Sequence, residues 1–168
     1  MSRLFLLRHA RAAWAEPGMR DFDRPLAPSG LDDADAAGAI MLAEGLVPAR
    51  VLCSGARRTR QTWEQVARHL RSVADVTYTD SLYASDATGY VTAICEAGSE
   101  EPLLIVGHNP MIEDVCFGLA PKGDARATEA RASGFPAGAI AVISFDGPLS
   151  AAAPGRGRLE AFYGPADL

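Results

Sequence analysis

The sequence predicts an α/β protein, a three-layer α/β/α sandwich with a mostly parallel central sheet and an antiparallel edge strand. Three observations predict it. Short, wholly apolar runs recur at residues 4–7, 51–53 and 103–106, and a run with no polar alternation belongs to a strand buried on both faces. Helical patterns separate these runs, as in a sheet covered by helices. Two further strand patterns then follow without a helix of their own between them.

Taken in order, the run at 4–7 stops abruptly at Arg8 and His9, and Pro17 and Gly18 come soon after. The first strand is therefore expected to end at His9, with a surface loop over 10–28. Ser29 reads as an N-cap with Asp32 three residues on. The helix it opens runs to about Glu44, and Gly45 stops it. Residues 50–54 are the second strand. Thr59, Trp63, Val66 and Leu70 mark one face of a helix over 56–71. A third strand covers 75–78, and a helix over 86–97 turns Tyr90, Val91 and Ile94 inward. The fourth strand is 102–107. Asn109 then caps a helix with Pro110 in its first position, and Glu113 and Asp114 suit its dipole. Residues 121–138 are polar and rich in Gly, Ala and Arg, so a long mobile loop is expected. Strands over 139–145 and 159–163 finish the sheet, the last at its edge.

The 168 residues suit one domain, 1–168, with no repeat and no large insertion. A hydrophobic share of 48% and mean hydropathy of +0.03 fit a soluble globular chain. No apolar run approaches the roughly 20 residues of a membrane helix, so no membrane partner is expected. Without signal-peptide features at the N-terminus, a cytoplasmic location is the expectation. A net charge of −5 argues against nucleic acid as a partner. Cys53, Cys95 and Cys116 are odd in number and far apart, which indicates neither a disulfide framework nor a zinc site. Neither a metal nor a cofactor is called for. His69, late in its helix beside Arg68 and Arg71, is assigned no role.

Three predicted strands end in unusual polar residues: Arg8-His9, Ser54-Gly55-Ala56-Arg57-Arg58, and Gly107-His108-Asn109. Parallel strands put their carboxyl ends on one edge, where ligands bind in open sheets. Two histidines and at least two arginines can therefore surround one pocket. That set fits phosphoryl transfer. Arginine forks hold the non-bridging oxygens, a neutral imidazole attacks phosphorus, and a second histidine donates to the equatorial oxygens.

These residues resemble the histidine phosphatase superfamily, also called phosphoglycerate mutase-like. Its apolar strand ending Arg-His-Gly stands here as Leu7-Arg8-His9-Ala10, with alanine for glycine. Its Ser-Pro-x-x-Arg-Ala-x-Gln-Thr stands as Ser54-Gly55-Ala56-Arg57-Arg58-Thr59-Arg60-Gln61-Thr62, without the proline and alanine. Its Gly-His-Asn-Pro is intact at 107–110. The resemblance implies that His9 is the nucleophile and that Arg8, Arg58 and His108 form the phosphate pocket, with Ser54 and Asn109 assisting binding. Arg24-Pro25-Leu26 resembles the segment before the family's first long helix.

Larger members carry insertions that cover the site and supply a general acid. Here only residues 80–89 separate the third strand from the next helix, so the chain is most similar to the small SixA-type phosphohistidine phosphatases. Asp80 and Asp86 are the candidates for the acid. The expected activity is a metal-independent phosphatase acting on phosphohistidine in a protein. A small phosphoester substrate and a non-catalytic phosphate- or phosphoprotein-binding module are the alternatives. A mutase is disfavoured, because it needs a closed site.

Overall fold

In the computed structural model, residues 1–71, 75–99 and 101–165 are described. The sheet contains β1 (Ser2–Arg8), β2 (Arg50–Ser54), β3 (Asp75–Thr79), β4 (Leu103–Gly107), β5 (Ile140–Phe145) and β6 (Gly157–Tyr163) in the order β3-β2-β4-β1-β5-β6. The first four are mutually parallel. β5 runs antiparallel to β1, and the edge strand β6 pairs antiparallel with β5. This is the predicted α/β architecture.

β1 shows why its run is apolar throughout. Phe5 and Leu7 pack on one face with Ala37 and Met41 of helix α1 (Pro28–Ala43) and Trp63 and Val66 of α2 (Arg57–Ala67). Leu4 and Leu6 pack on the other with Ile94 of α4 (Ala87–Glu96) and Ile112 and Val115 of α5 (Met111–Leu119). Successive side chains of a strand point to opposite faces, so a strand between two helix layers has no position for a polar residue. The polar residues come only where the strand runs out.

Several expectations change in detail. α1 starts one residue before Ser29, with Ala27 as N-cap and Pro28 in the first turn. Proline's fixed φ and missing N–H suit that position, so Ser29 is inside the helix. α2 ends at Ala67 and not near Arg71. α5 begins at Met111, with Pro110 as its N-cap. Asn109 still contributes, its Oδ1 accepting the Glu113 N–H at 3.2 Å. A four-residue helix, α3 (Ser81–Ala84), fills the short span after β3; it is too short to leave a periodic signature.

The largest correction concerns 121–138. A helix, α6 (Ala125–Ala132), occupies the middle of the expected mobile loop. Asp124 caps it by accepting the Ala127 N–H at 3.0 Å. Its anchor is Arg131, 1% exposed, which donates to the carbonyls of Cys116, Ala120 and Pro121 at the end of α5. One buried arginine thus satisfies carbonyls a helix end leaves free, and the polar sequence concealed this.

Gly30 marks a close approach. A Cβ there would lie 2.0 Å from the Arg11 carbonyl oxygen, which accepts the Ala27 N–H. The start of α1 is thereby pressed onto the segment following His9. Gly30→Ala is expected to cost about 1–3 kcal/mol through overpacking. A lower urea midpoint at unchanged m-value is the measurement that checks it.

Candidate active site

Register brings the three strand ends together. Arg8 pairs with Gly107 across β1–β4, and Cys53 pairs with Val106 across β2–β4. The residues just beyond, His9, His108 and Ser54, therefore meet at one edge. The His9 N–H donates to the Gly107 carbonyl at 3.0 Å. The two imidazoles lie edge to face with centroids 5.3 Å apart. His9, Asp21, Arg58, Tyr83, His108, Asn109 and Met111 line a cavity of about 240 Å³.

The His9 ring is fixed by its neighbour. Nδ1 lies 2.6 Å from the Ala10 carbonyl oxygen. A carbonyl only accepts, so Nδ1 carries the proton and Nε2 keeps the lone pair. Burial, together with the charges of His108, Arg58 and Arg8, pushes the His9 pKa down to about 3, against the pull of the Ala10 hydrogen bond. The ring is neutral at physiological pH.

His108 is buried, and its Nε2 lies 2.8 Å from Ser54 Oγ. Ser54 Oγ already accepts the Ala56 N–H at 3.3 Å. A Ser54 hydroxyl that donates to Nε2 leaves the neutral ring's proton on Nδ1. Burial and then the Arg58 charge lower the His108 pKa to about 4. Its backbone N–H is held by the Tyr90 hydroxyl at 3.1 Å, which itself donates to the Leu82 carbonyl. Gly107 permits this: a Cβ there would lie 2.6 Å from that hydroxyl.

Arg8 lies beside the cavity. Nη1 donates to the Phe135 carbonyl at 2.8 Å, and Nε is buried with no hydrogen-bond partner among the described residues. Arg58 is also buried. Its Nη1 donates to the Asp21 carbonyl at 2.8 Å and its Nη2 to Asp21 Oδ2 at 3.0 Å. Asn109 lines the cavity and donates to the Phe135 carbonyl. Ser54 sits beneath His108 and outside the lining residues.

The two acid candidates stand apart from the cavity. Asp86 is used as the N-cap of α4, accepting the Gly89 N–H at 2.9 Å. Asp80 is exposed at the start of α3, against Gly55. Arg57 is exposed and also outside the lining set. His69 pairs with Asp35 at 2.8 Å, between α1 and α2. Burial raises the Cys53 thiol to about 12, as expected for a small buried hydrophobe.

The carboxylate that lines the cavity is Asp21, from the 10–28 segment expected to be a surface loop. Oδ2 accepts the Tyr83 hydroxyl at 2.7 Å as well as Arg58, and Oδ1 accepts Arg24 at 3.0 Å. The Tyr83 hydrogen bond, then those of the arginines, hold its pKa well below the usual carboxylate range. The same bond raises the Tyr83 pKa.

Comparison with known proteins accords with this geometry. A sequence profile of the histidine phosphatase superfamily (branch 1) matches residues 4–87. An uncharacterized protein of Mycobacterium tuberculosis is 34% identical over 162 residues, 95% of this chain and 99% of its own. The chain belongs to the histidine phosphatase superfamily. Among solved structures, SixA from Agrobacterium tumefaciens is 33% identical at a TM-score of 0.82, over 98% of this chain and 99% of that one. SixA from Nakamurella multipartitia is 31% identical at 0.80, over 98% and 96%. Within the superfamily this chain is SixA-type.

The superfamily motifs have local explanations here. Gln61 Oε1 accepts the Leu26 N–H at 2.7 Å, and Thr62 Oγ1 accepts the Ala10 N–H at 3.1 Å. The Gln-Thr pair therefore fixes the chain that follows the histidine. Ala10 in place of glycine is accommodated. It is fully buried with Leu26 and Ala34, and among the described residues no non-glycine has positive φ.

Stability should report the two neutral imidazoles. Between the ordinary histidine value of 6.5 and the folded values of about 3 and 4, the unfolded chain binds protons that the folded chain does not. Stability is therefore expected to fall as pH drops from about 6.5 toward 4, at up to about 1.4 kcal/mol per pH unit for each histidine. Urea unfolding across that range measures it, and a flat profile would contradict neutral, desolvated rings.

Proposed function

We propose that this protein is a metal-independent phosphatase that removes the phosphoryl group from phosphohistidine in a protein, through a phosphorylated His9. The observation that carries the reading is the His9 ring. It is neutral, with Nδ1–H tied to the Ala10 carbonyl, and its Nε2 lone pair is free at a pocket carrying Arg58 and His108.

In the first step Nε2 attacks phosphorus, and the bond to the leaving nitrogen breaks with its electron pair going to that nitrogen. Phospho-His9 keeps its proton on Nδ1, where the Ala10 carbonyl accepts it. Water then attacks phosphorus, the P–Nε2 pair returns to His9, and the water protons leave with inorganic phosphate. Arg8, Arg58 and the His108 N–H are the donors for the non-bridging oxygens, worth most in a site shielded from water. Thr62 and Ser54 act through others, by fixing Ala10 and His108.

Two observations support phosphohistidine as the substrate class. The SixA proteins that match at about a third identity have the same compact size. At the pocket itself, Asp21 is held ionised by two arginines and a tyrosine, so it has no proton for an alkoxide. A phosphorylated imidazole departs without one when its other nitrogen is protonated.

His9→Ala is expected to lower phosphate release from a histidine-phosphorylated protein by at least about 1,000-fold, and wild-type activity should survive exhaustive chelation. Release retained by the variant would defeat the covalent mechanism. Because both rings are neutral far below 6.5, the acid limb of kcat/KM assigned to the enzyme should lie below pH 5. A limb near 6.5 with a substrate that does not titrate there would contradict the pocket's electrostatics.

A further inference from the structure

In-line attack by His9 places the leaving atom on the far side of the phosphoryl group. The pocket groups follow one another across the cavity: the His108 ring lies edge to face with His9 at 5.3 Å and with Tyr83 at 5.5 Å between centroids, and Asp21 accepts the Tyr83 hydroxyl at 2.7 Å. Asp21 comes from the loop after β1 and Tyr83 from α3, and they close the cavity against Arg58. His9 and the Asp21 carboxylate thus line the same cavity with His108 and Tyr83 between them, which fits Asp21 to the leaving-group side.

From this juxtaposition we propose that Asp21 is the specificity-determining residue of the pocket, a fixed anion that favours phosphorylated imidazole over phosphate esters. The inference rests on the phosphohistidine reading above and deepens it. A phosphoimidazole protonated on its second nitrogen is a cationic ring beside a carboxylate. When the P–N bond breaks, the electron pair neutralises that ring, and imidazole leaves with its proton in place. No acid from the enzyme enters the balance. An ester leaves as an alkoxide or phenolate, which Asp21 opposes and to which it has no proton to give.

The surroundings keep that carboxylate in its charged form. Arg24 from its own segment, Arg58 from α2 and Tyr83 from α3 all donate to it, and His108 faces it from the end of β4. Arg20 and Asp23 of the same turn satisfy each other at 2.8 Å. The Asp21 side chain is 51% exposed, so the anion also meets the solvent side of the pocket through which a protein-borne ring would enter.

The test compares kcat/KM on a histidine-phosphorylated protein with kcat/KM on p-nitrophenyl phosphate, for wild type, Asp21→Asn and Asp21→Glu. Asp21→Asn is expected to lower the ratio of the two at least tenfold, and Asp21→Glu to restore most of it. Far-UV circular dichroism and the urea midpoint confirm that each variant is folded. If Asp21→Asn lowers both activities together and the ratio moves less than threefold, Asp21 only positions Arg58 and the inference is overturned. His9-dependent release by wild type with an unchanged ratio in Asp21→Asn removes this inference alone. No release from the phosphoprotein by wild type removes the phosphohistidine reading and this inference with it.

Discussion

One hydrogen bond organises the pocket: His9 Nδ1–H to the carbonyl of the next residue, Ala10. It selects the tautomer, aims the lone pair and holds the ring in place. A bond to an adjacent carbonyl is only as rigid as that peptide, and much of the fold is spent on making it rigid. Thr62 takes the Ala10 N–H, Leu26 and Ala34 enclose the Ala10 methyl, and Gly138 donates to the His9 carbonyl. The Arg11 carbonyl is pinned from the start of α1. Each clamp comes from a different element, so the His9 ring is set by the whole sheet edge and not by its own strand alone.

Electrostatics follow from the same enclosure. In a medium of low dielectric, cations at the pocket act on the two imidazoles more strongly than they would in water. Burial and the arginines push in the same direction, toward neutral rings. Asp21 is the counterweight, and it is secured by the guanidiniums it balances. The pocket therefore combines donors that suit a phosphoryl group with a single carboxylate that suits something cationic.

The strands were legible because burial on both faces leaves an unmistakable run of apolar residues, as in Leu4 to Leu7 and Leu103 to Val106. The ends of those strands were legible for the complementary reason, since Arg8-His9 and Gly107-His108 interrupt the pattern abruptly. Helix ends were read less well. Ser29 and Pro28 both signal a start, and the residue with the fixed φ prevailed. The helix over 125–132 was hidden because its buried anchor is an arginine satisfied by carbonyls, which hydropathy scores as surface. Asp21 was hidden because its partners, Arg58 and Tyr83, lie 37 and 62 residues away, and no spacing rule connects a loop carboxylate to them. Asp80 and Asp86 became candidates because they fall in the short span between the third strand and the next helix, and neither lines the cavity. One of them is used as a helix cap, and the other lies against a glycine outside the pocket.

The placement of β1 has a consequence for how the chain is made. Of the six strands of the sheet it is made first, yet its neighbours are β4, ending at Gly107, and β5, spanning Ile140–Phe145. With synthesis at about 5–20 residues per second, its apolar residues wait roughly 10–30 s before both flanks are occupied. Throughout that interval the nascent chain carries an uncovered apolar segment. His9, attached to that segment, acquires its surroundings only after β5 has been made. A chain interrupted before Ile140 would lack β5 and β6, and β1 would be left as an uncovered edge.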